Sequence, residues 1–415
     1  MTARPRRLPV NLADVKAAAA LLEGSVMRTP TVASAALSEL SGATVHLKLE
    51  TLHPTGSFKE RGAYVKLAGL GRAERKAGVI AMSAGNHAQG LAYHASRLRI
   101  PATIVMPEAT PFNKVARTES LGAKVVLRGA GVGEARKAAL EIAAARKLTF
   151  VHPYDDPSII AGQGTAALEM LSDVPDLDLL LVPIGGGGLI SGVAVAAKAI
   201  KPGIAVIGVE VAGYASMRHA LGHGPKPTGG ETLAEGIAVK EPGRITTAIT
   251  RALVDDILVV DEDAVERAVT AFVESQRLVV EGAGAVGLAA LLAHRKRFRR
   301  KSVGLLVTGG NIDARLLSSI LMRGLVRTGR LVRLRAEITD QPGTLARLTR
   351  VIGDAGANIV EIYHQRLFQD VPVKRAELDA VVETRNRAHV SELIEAMGKA
   401  GYPTRLLSST AIDDA

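Results

Sequence analysis

Between Thr44 and Val307, short β-branched runs alternate with alanine-rich stretches of helical length, and this constrains the fold more than any other feature of the chain. Thr44–Leu49, Val79–Met82, Ala102–Met106, Lys124–Leu127, Leu179–Val182, Ala205–Val211 and Val303–Val307 read as strands. Ala63–Leu70, Ala88–Ser96, Asn113–Leu121, Glu134–Lys147, Leu189–Ile200, Asp263–Val273 and Ala285–His294 read as helices, as does Asn11–Glu23 ahead of them. Such alternation builds βαβ units and a mostly parallel sheet. Ligands of these sheets sit beyond the C-terminal ends of the strands. Four Gly- or Ser-rich turns of this chain fall at those ends.

The pattern changes near Arg330. Leu331–Thr339, Asn358–Leu367, Val373–Glu383 and Thr404–Leu407 read as strands, with Gly343–Ala355 and Ala388–Ala400 as helices. That order is βαββαβ, the ferredoxin-like arrangement. Gly324–Arg330 is the expected linker, and Ser408–Ala415 is expected to be loose.

Composition narrows the function classes. At roughly 150 residues per domain, 415 residues suggest two or three domains. The chain has no cysteine, which excludes disulfides, thiolate zinc sites and thiol catalysis. The net charge of +11 lies entirely before Arg330, because Arg330–Ala415 holds 12 Lys+Arg and 12 Asp+Glu. Such an excess favours acidic or phosphate-bearing ligands, or nucleic acid. Aromatics are only 3%, with no Trp, against a base-stacking surface. The run His294–Lys301 therefore reads as a solvated loop, and no nucleic-acid partner is expected. Leu179–Ala197 is uncharged, but Pro183 and four glycines break it as a membrane helix. No membrane span or leader is expected, and the default location is the cytoplasm.

Four constellations carry chemistry. Pro54-Thr55-Gly56-Ser57-Phe58-Lys59-Glu60-Arg61-Gly62-Ala63 leads from a strand into a helix. A lysine there beside Arg61 has its charged form disfavoured, which frees the amine for Schiff-base chemistry. Ser83-Ala84-Gly85-Asn86-His87 follows the strand Val79–Met82, where small residues let backbone N–H groups approach an anion. Gly185-Gly186-Gly187-Gly188-Leu189 follows Leu179–Val182. Four glycines weaken any element they sit in, so a backbone there wraps something closely. A phosphate at the start of the next helix fits. Thr308-Gly309-Gly310-Asn311 follows Val303–Val307 and offers one neutral hydroxyl. Glu281-Gly282-Ala283-Gly284-Ala285 is a similar small-residue turn, with a plain helix start as the alternative.

Together, in this order, these strings resemble the fold type II pyridoxal-phosphate enzymes, and most closely the threonine dehydratases, from about Leu22 to Arg323. The tail, with Asp340-Gln341-Pro342-Gly343-Thr344-Leu345 and Gly356-Ala357-Asn358-Ile359, resembles an ACT domain. The resemblance implies two open, twisted, mostly parallel sheets of the tryptophan synthase β type over residues 1–325. A smaller subdomain, about 60–152, would be inserted there, and the ACT module would span 326–415. It implies pyridoxal 5'-phosphate held covalently by Lys59, which later moves the α-proton. Phe58 would pack beside the ring, Asn86 would meet the ring hydroxyl, and Gly185, Gly186, Gly187, Gly188 and Leu189 would cradle the phosphate. Thr308 would meet the pyridine nitrogen, and Ser83, Gly85, Asn86 and His87 would grip the substrate carboxylate. Serine racemase relatives look to carry serine where this chain has Ala84, which has no proton to give. That favours elimination from L-threonine, with L-serine as a side substrate, over racemisation; the alternatives are a serine dehydratase or racemase of this fold type and a non-catalytic amino-acid sensor. Those relatives also use a carboxylate cluster for a divalent cation. Here Glu210 is joined by Tyr214 and Ser216, so no metal is expected. Gln341, Gly343, Thr344 and Asn358 are the expected contacts for an amino-acid or nucleotide effector between paired modules, in a homo-oligomer of tetrameric order. A biosynthetic and a catabolic role are both left open.

Overall fold

The computed structural model describes residues 8–365 and 375–407, and the chain divides into two compact units at Ile312/Asp313. The first unit has ten strands: β1 (Thr31–Ser34), β2 (Thr44–Leu49), β3 (Val79–Met82), β4 (Ala102–Met106), β5 (Lys124–Leu127), β6 (Thr149–Phe150), β7 (Leu179–Pro183), β8 (Ala205–Val211), β9 (Asp256–Val260) and β10 (Ser302–Val307). They form a six-stranded sheet in the order β1-β2-β10-β7-β8-β9 and a four-stranded sheet in the order β5-β4-β3-β6. Every pairing is parallel except β1 with β2.

Strand order explains why distant motifs meet. β10 lies between β2 and β7, so the turns after these three strands stand side by side at one sheet edge. Those turns hold Lys59, Thr308 and the four glycines. In the smaller sheet β3 pairs with β6, which sets Ser83–His87 beside the segment following Phe150.

The sequence reading leaves the helix Pro157–Asp173 unassigned, yet this helix ties the parts together. A Cβ on Gly162 would stand 2.7 Å from the Gly62 Cα, and one on Gly192 would stand 2.2 Å from the Ile160 carbonyl oxygen. The helix carrying Lys59, the helix Pro157–Asp173 and the helix after the four glycines thus touch backbone to backbone. Buried Val15, Ile160, Met170, Val193 and Leu306 fill the core around them. The helices Arg244–Leu253 and Ala314–Arg327 are also unassigned in the sequence reading. The basic run contains one helical turn, Arg295–Phe298, with Phe298 buried and Arg297 paired to Asp256. No helix among the described residues is long and apolar enough to cross a membrane.

In the second unit β11 (Leu331–Thr339), β12 (Asn358–Gln365), β13 (Arg375–Glu383) and β14 (Thr404–Leu406) form an antiparallel sheet in the order β12-β13-β11-β14. Leu334, Ile338, Leu348, Leu378 and Leu393 lie in its core. The helix Ala314–Arg327 runs into the stretch read as a linker, leaving Thr328–Arg330 between it and β11. The tail Ser408–Ala415 and the β12–β13 connection lie outside the described residues.

Candidate active site

Lys59 is the first residue of the helix Lys59–Ala68, with Phe58 at the N-cap. Its Nζ donates to the Pro153 carbonyl at 3.0 Å and lies 5.0 Å from the centre of the Phe58 ring. Its surroundings push its pKa down to about 8, because burial disfavours the ammonium; the Glu281 carboxylate opposes this. Burial, and not the neighbouring Arg61 expected from sequence, is what lowers it. The Arg61 guanidinium is bonded to Glu50 at 2.7 and 2.8 Å and to Glu169 at 2.6 and 2.8 Å. Its charge is thus spent inside the fold.

That network anchors the reactive turn. Lys48, Glu50, Glu60 and Arg61 are almost fully buried. Glu60 accepts the Thr55 N–H at 2.6 Å, and its other oxygen meets His94 Nε2 at 3.1 Å. Lys48 Nζ donates to Glu169 at 2.6 Å. A buried charge persists only when paired and hydrogen-bonded. Here the pairing fixes the loop before Lys59 and the start of its helix.

Four residues after Phe150 join Lys59 to the glycines. Pro153 accepts from Lys59, and the next residue, Tyr154, packs its ring on the tetraglycine turn. A Cβ on Gly186 would stand 2.3 Å from that ring, and one on Gly188 3.0 Å from Tyr154 Cβ. Gly187 has φ +95° and caps the helix Gly188–Ile200. Asp155 accepts N–H groups of Arg244, Ile245 and Thr246, and Thr246 Oγ1 donates to the Gly186 carbonyl at 2.7 Å. His152 Nδ1 accepts from Asp155 N at 2.9 Å, and burial pulls its pKa to about 4, so the ring is neutral. None of the side chains His152, Tyr154 and Asp155 was singled out from sequence.

Asn86 is held from both sides. Its Nδ2 donates to Glu281 Oε1 at 2.7 Å, and its Oδ1 accepts from Asn311 Nδ2 at 2.8 Å. Asn311 also donates to the Thr55 carbonyl at 2.7 Å. The second Nδ2 hydrogen of Asn86 remains for a ligand. Thr308 is buried, and its carbonyl accepts the Phe58 N–H at 3.0 Å. Ser83, Ala84 and Gly85 are half-buried, with Ser83 Oγ accepting the Gly85 N–H at 3.2 Å. The His87 ring is buried, donates to the Val151 carbonyl at 3.2 Å, and is held neutral with its pKa near 3, first by burial and then by the Lys59 charge. What His87 can offer an anion is therefore its backbone N–H. Glu281 stands in a turn that sequence likens to the other four or to a plain helix start; its side chain faces Asn86 and Lys59, and burial raises its pKa to about 7.

These groups suit a phosphorylated aldehyde. A helix start leaves backbone N–H groups for a phosphate, the glycines let Tyr154, Met217 and Thr246 close around that turn, and an amine partly unprotonated near neutrality is joined to it through Pro153 and Tyr154. Glu210, the residue weighed for a cation, spends both oxygens on the N–H groups of Met217 and Arg218. Tyr214 donates its hydroxyl to the Gly230 carbonyl.

Residues 22–309 match the family model described as pyridoxal-phosphate-dependent enzyme. The chain belongs to that family. Its cofactor is pyridoxal phosphate, and residues 328–400 match the ACT domain. The L-threonine ammonia-lyase of Thermotoga maritima is 43% identical over 400 residues, covering 96% of this chain and 100% of that protein. Threonine deaminase isoform 2 of Solanum lycopersicum superposes with a TM-score of 0.71 at 34% identity, covering 78% of this chain and 93% of the other. Maize serine racemase superposes with a TM-score of 0.71 at 33% identity, covering 76% and 98%.

The four effector residues do not meet within one module. Asn358 pairs across the sheet with Glu383, and Glu383 pairs with Leu331, whereas Gln341–Thr344 follow Thr339 at the far end of β11. At about 3.3 Å per residue these ends are roughly 25 Å apart. Gly343, with φ +82°, starts the helix Thr344–Asp354, and Asn358 Nδ2 donates to Glu383 at 2.9 Å.

Proposed function

We propose that this chain is an L-threonine ammonia-lyase, converting L-threonine to 2-oxobutanoate and ammonium, with L-serine giving pyruvate more slowly. The bound cofactor supplies the electron sink that makes the α-hydrogen acidic. Lys59 would hold the cofactor aldehyde, and its Nζ would serve as the base for the α-proton. The N–H groups of Gly185–Leu189 would bind the phosphate. Asn86 spends its free N–H on the ring hydroxyl, and Thr308 offers a neutral partner at the ring nitrogen. The turn Ser83–His87 holds the carboxylate. Ala84 leaves no hydroxyl on the opposite face to return a proton, so loss of the β-hydroxyl competes well against reprotonation.

The observation that carries this reading is the single connection Lys59–Pro153–Tyr154–Gly186, which joins a partly unprotonated amine to the tetraglycine turn. The 43% identity to an L-threonine ammonia-lyase supports the substrate. Incubation with L-threonine and then with L- and D-serine tests it. Ketoacid formation fastest from L-threonine is expected; serine racemisation outrunning ketoacid formation would replace this reading with a racemase.

The second unit serves as a regulatory module in a cytoplasmic homotetramer. An effector touching both Asn358 and the Gln341–Thr344 loop needs two copies of the module, which couples its binding to assembly. Thermal-shift screening with each amino acid and with AMP tests this, because a selective binder raises apparent stability.

A further inference from the structure

Glu281 is the N-cap residue of the helix Gly282–Ala293, yet its side chain makes no capping bond there. It turns instead toward the gap between the two sheets, where Oε1 accepts the Asn86 Nδ2 hydrogen at 2.7 Å. Its own N–H donates to the Gly309 carbonyl at 3.0 Å. The surrounding backbone is shaped to admit a carboxyl group. A Cβ on Gly309 would stand 2.5 Å from Glu281 Oε1, and one on Gly236 3.3 Å from it. Glu281 thus bridges the two sheets beside Lys59, at the one point where the tightly held Asn86 amide leaves a partner to choose.

The groups facing this carboxyl are few. Lys59 attracts it, Asn86 and the Asn311 backbone donate to it, and Glu235 repels it. Glu235 is in turn paired with Lys114, from the smaller subdomain, at 2.6 Å. The imidazoles nearest Lys59, His87 and His152, are both neutral. The Pro153 carbonyl accepts from Lys59 Nζ, and among the described residues Glu281 is the carboxylate whose charge opposes the burial of a Lys59 cation.

Resting on the function proposed above, we infer that Glu281 is a positioning residue and charge partner: it fixes the Asn86 amide and stabilises Lys59 once that amine has accepted the α-proton. Proton abstraction creates a cation in a poorly hydrated place. A carboxylate across from it lowers the cost of that step without touching the substrate.

The test compares the full chain with E281Q, which keeps the acceptor for Asn86 but removes the charge, and with E281D, which keeps the charge on a shorter arm. In the chain freed of cofactor, competitive acetylation of Lys59 by acetic anhydride is followed by mass spectrometry from pH 6 to pH 10. The wild-type midpoint is expected near 8. In E281Q it falls by about one unit, and in E281D it stays within about 0.3 units of wild type. With cofactor restored, kcat for L-threonine falls roughly ten- to hundred-fold in E281Q, with KM within about twofold. An E281Q midpoint equal to wild type overturns the inference, as does an E281D midpoint shifted a full unit downward, which decides the matter even where E281Q does not fold. Absence of 2-oxobutanoate from the wild type defeats the proposed function instead, and the labelling midpoint still decides on Glu281.

Discussion

In the first unit Lys48, Glu50, Glu60 and Arg61 are sealed from solvent, whereas in the second unit the arginines that pair with the buried Asp379 and with Glu377 reach solvent. There Arg333 and Arg335 close on Asp379, and Arg405 reaches Glu377 at 3.7 Å with its own side chain 65% exposed. A long pair with an arginine as exposed as Arg405 contributes little, commonly below about 1 kcal/mol. A buried pair is costly to assemble and more costly to break. The difference teaches where geometry is being enforced. The buried network lies directly behind Lys59 and does no chemistry itself; it holds the turn that does.

Four substitutions or titrations sharpen this contrast. The largest effect is expected from K59A, which should lower ketoacid formation at least about a thousand-fold with the fold intact, checked by turnover and circular dichroism. Activity within tenfold of wild type would detach Lys59 from the chemistry. Next comes R61M, which takes the guanidinium from buried Glu50 and leaves Glu169 with Lys48 alone, and should cost about 3–5 kcal/mol in urea unfolding; a loss below about 1 kcal/mol would erase the distinction between the units.

The third is a pH dependence. The Lys59 pKa is depressed to about 8, so the free amine grows with pH up to that value and then levels off. Cofactor capture by the stripped chain should therefore rise about tenfold per unit below pH 8 and flatten above it, followed by visible absorbance. A rise continuing to pH 10 would mean an unperturbed lysine. The smallest effect is expected from R405A, under about 1 kcal/mol with threonine turnover unchanged; a larger loss would show that the exposed face is energetically coupled after all.

The sheet alternation, the four turns and the βαββαβ tail were legible in the sequence because each is a local pattern: periodicity, a glycine run, a strand end. What was missed arrives from elsewhere in the chain. Tyr154 matters through its contact with Gly186, and Asn311 through bonds to Thr55 and Asn86, pairings that no local pattern encodes. Glu281 looked like any acidic residue at a helix start, because its turn away from the helix depends on Gly309 giving it room. The lowered Lys59 pKa was anticipated in direction but credited to Arg61, since sequence adjacency does not reveal that Glu50 and Glu169 claim that guanidinium. The helix Pro157–Asp173 escaped notice although its glycines are what let three helices touch.

One measurement bears most directly on the whole. Borohydride reduction of the holoenzyme, followed by peptide mapping, locates the amine that carries the cofactor. The account predicts a single reduced adduct on Lys59, formed in a chain that converts L-threonine to 2-oxobutanoate. An adduct on another lysine, or none, would contradict it.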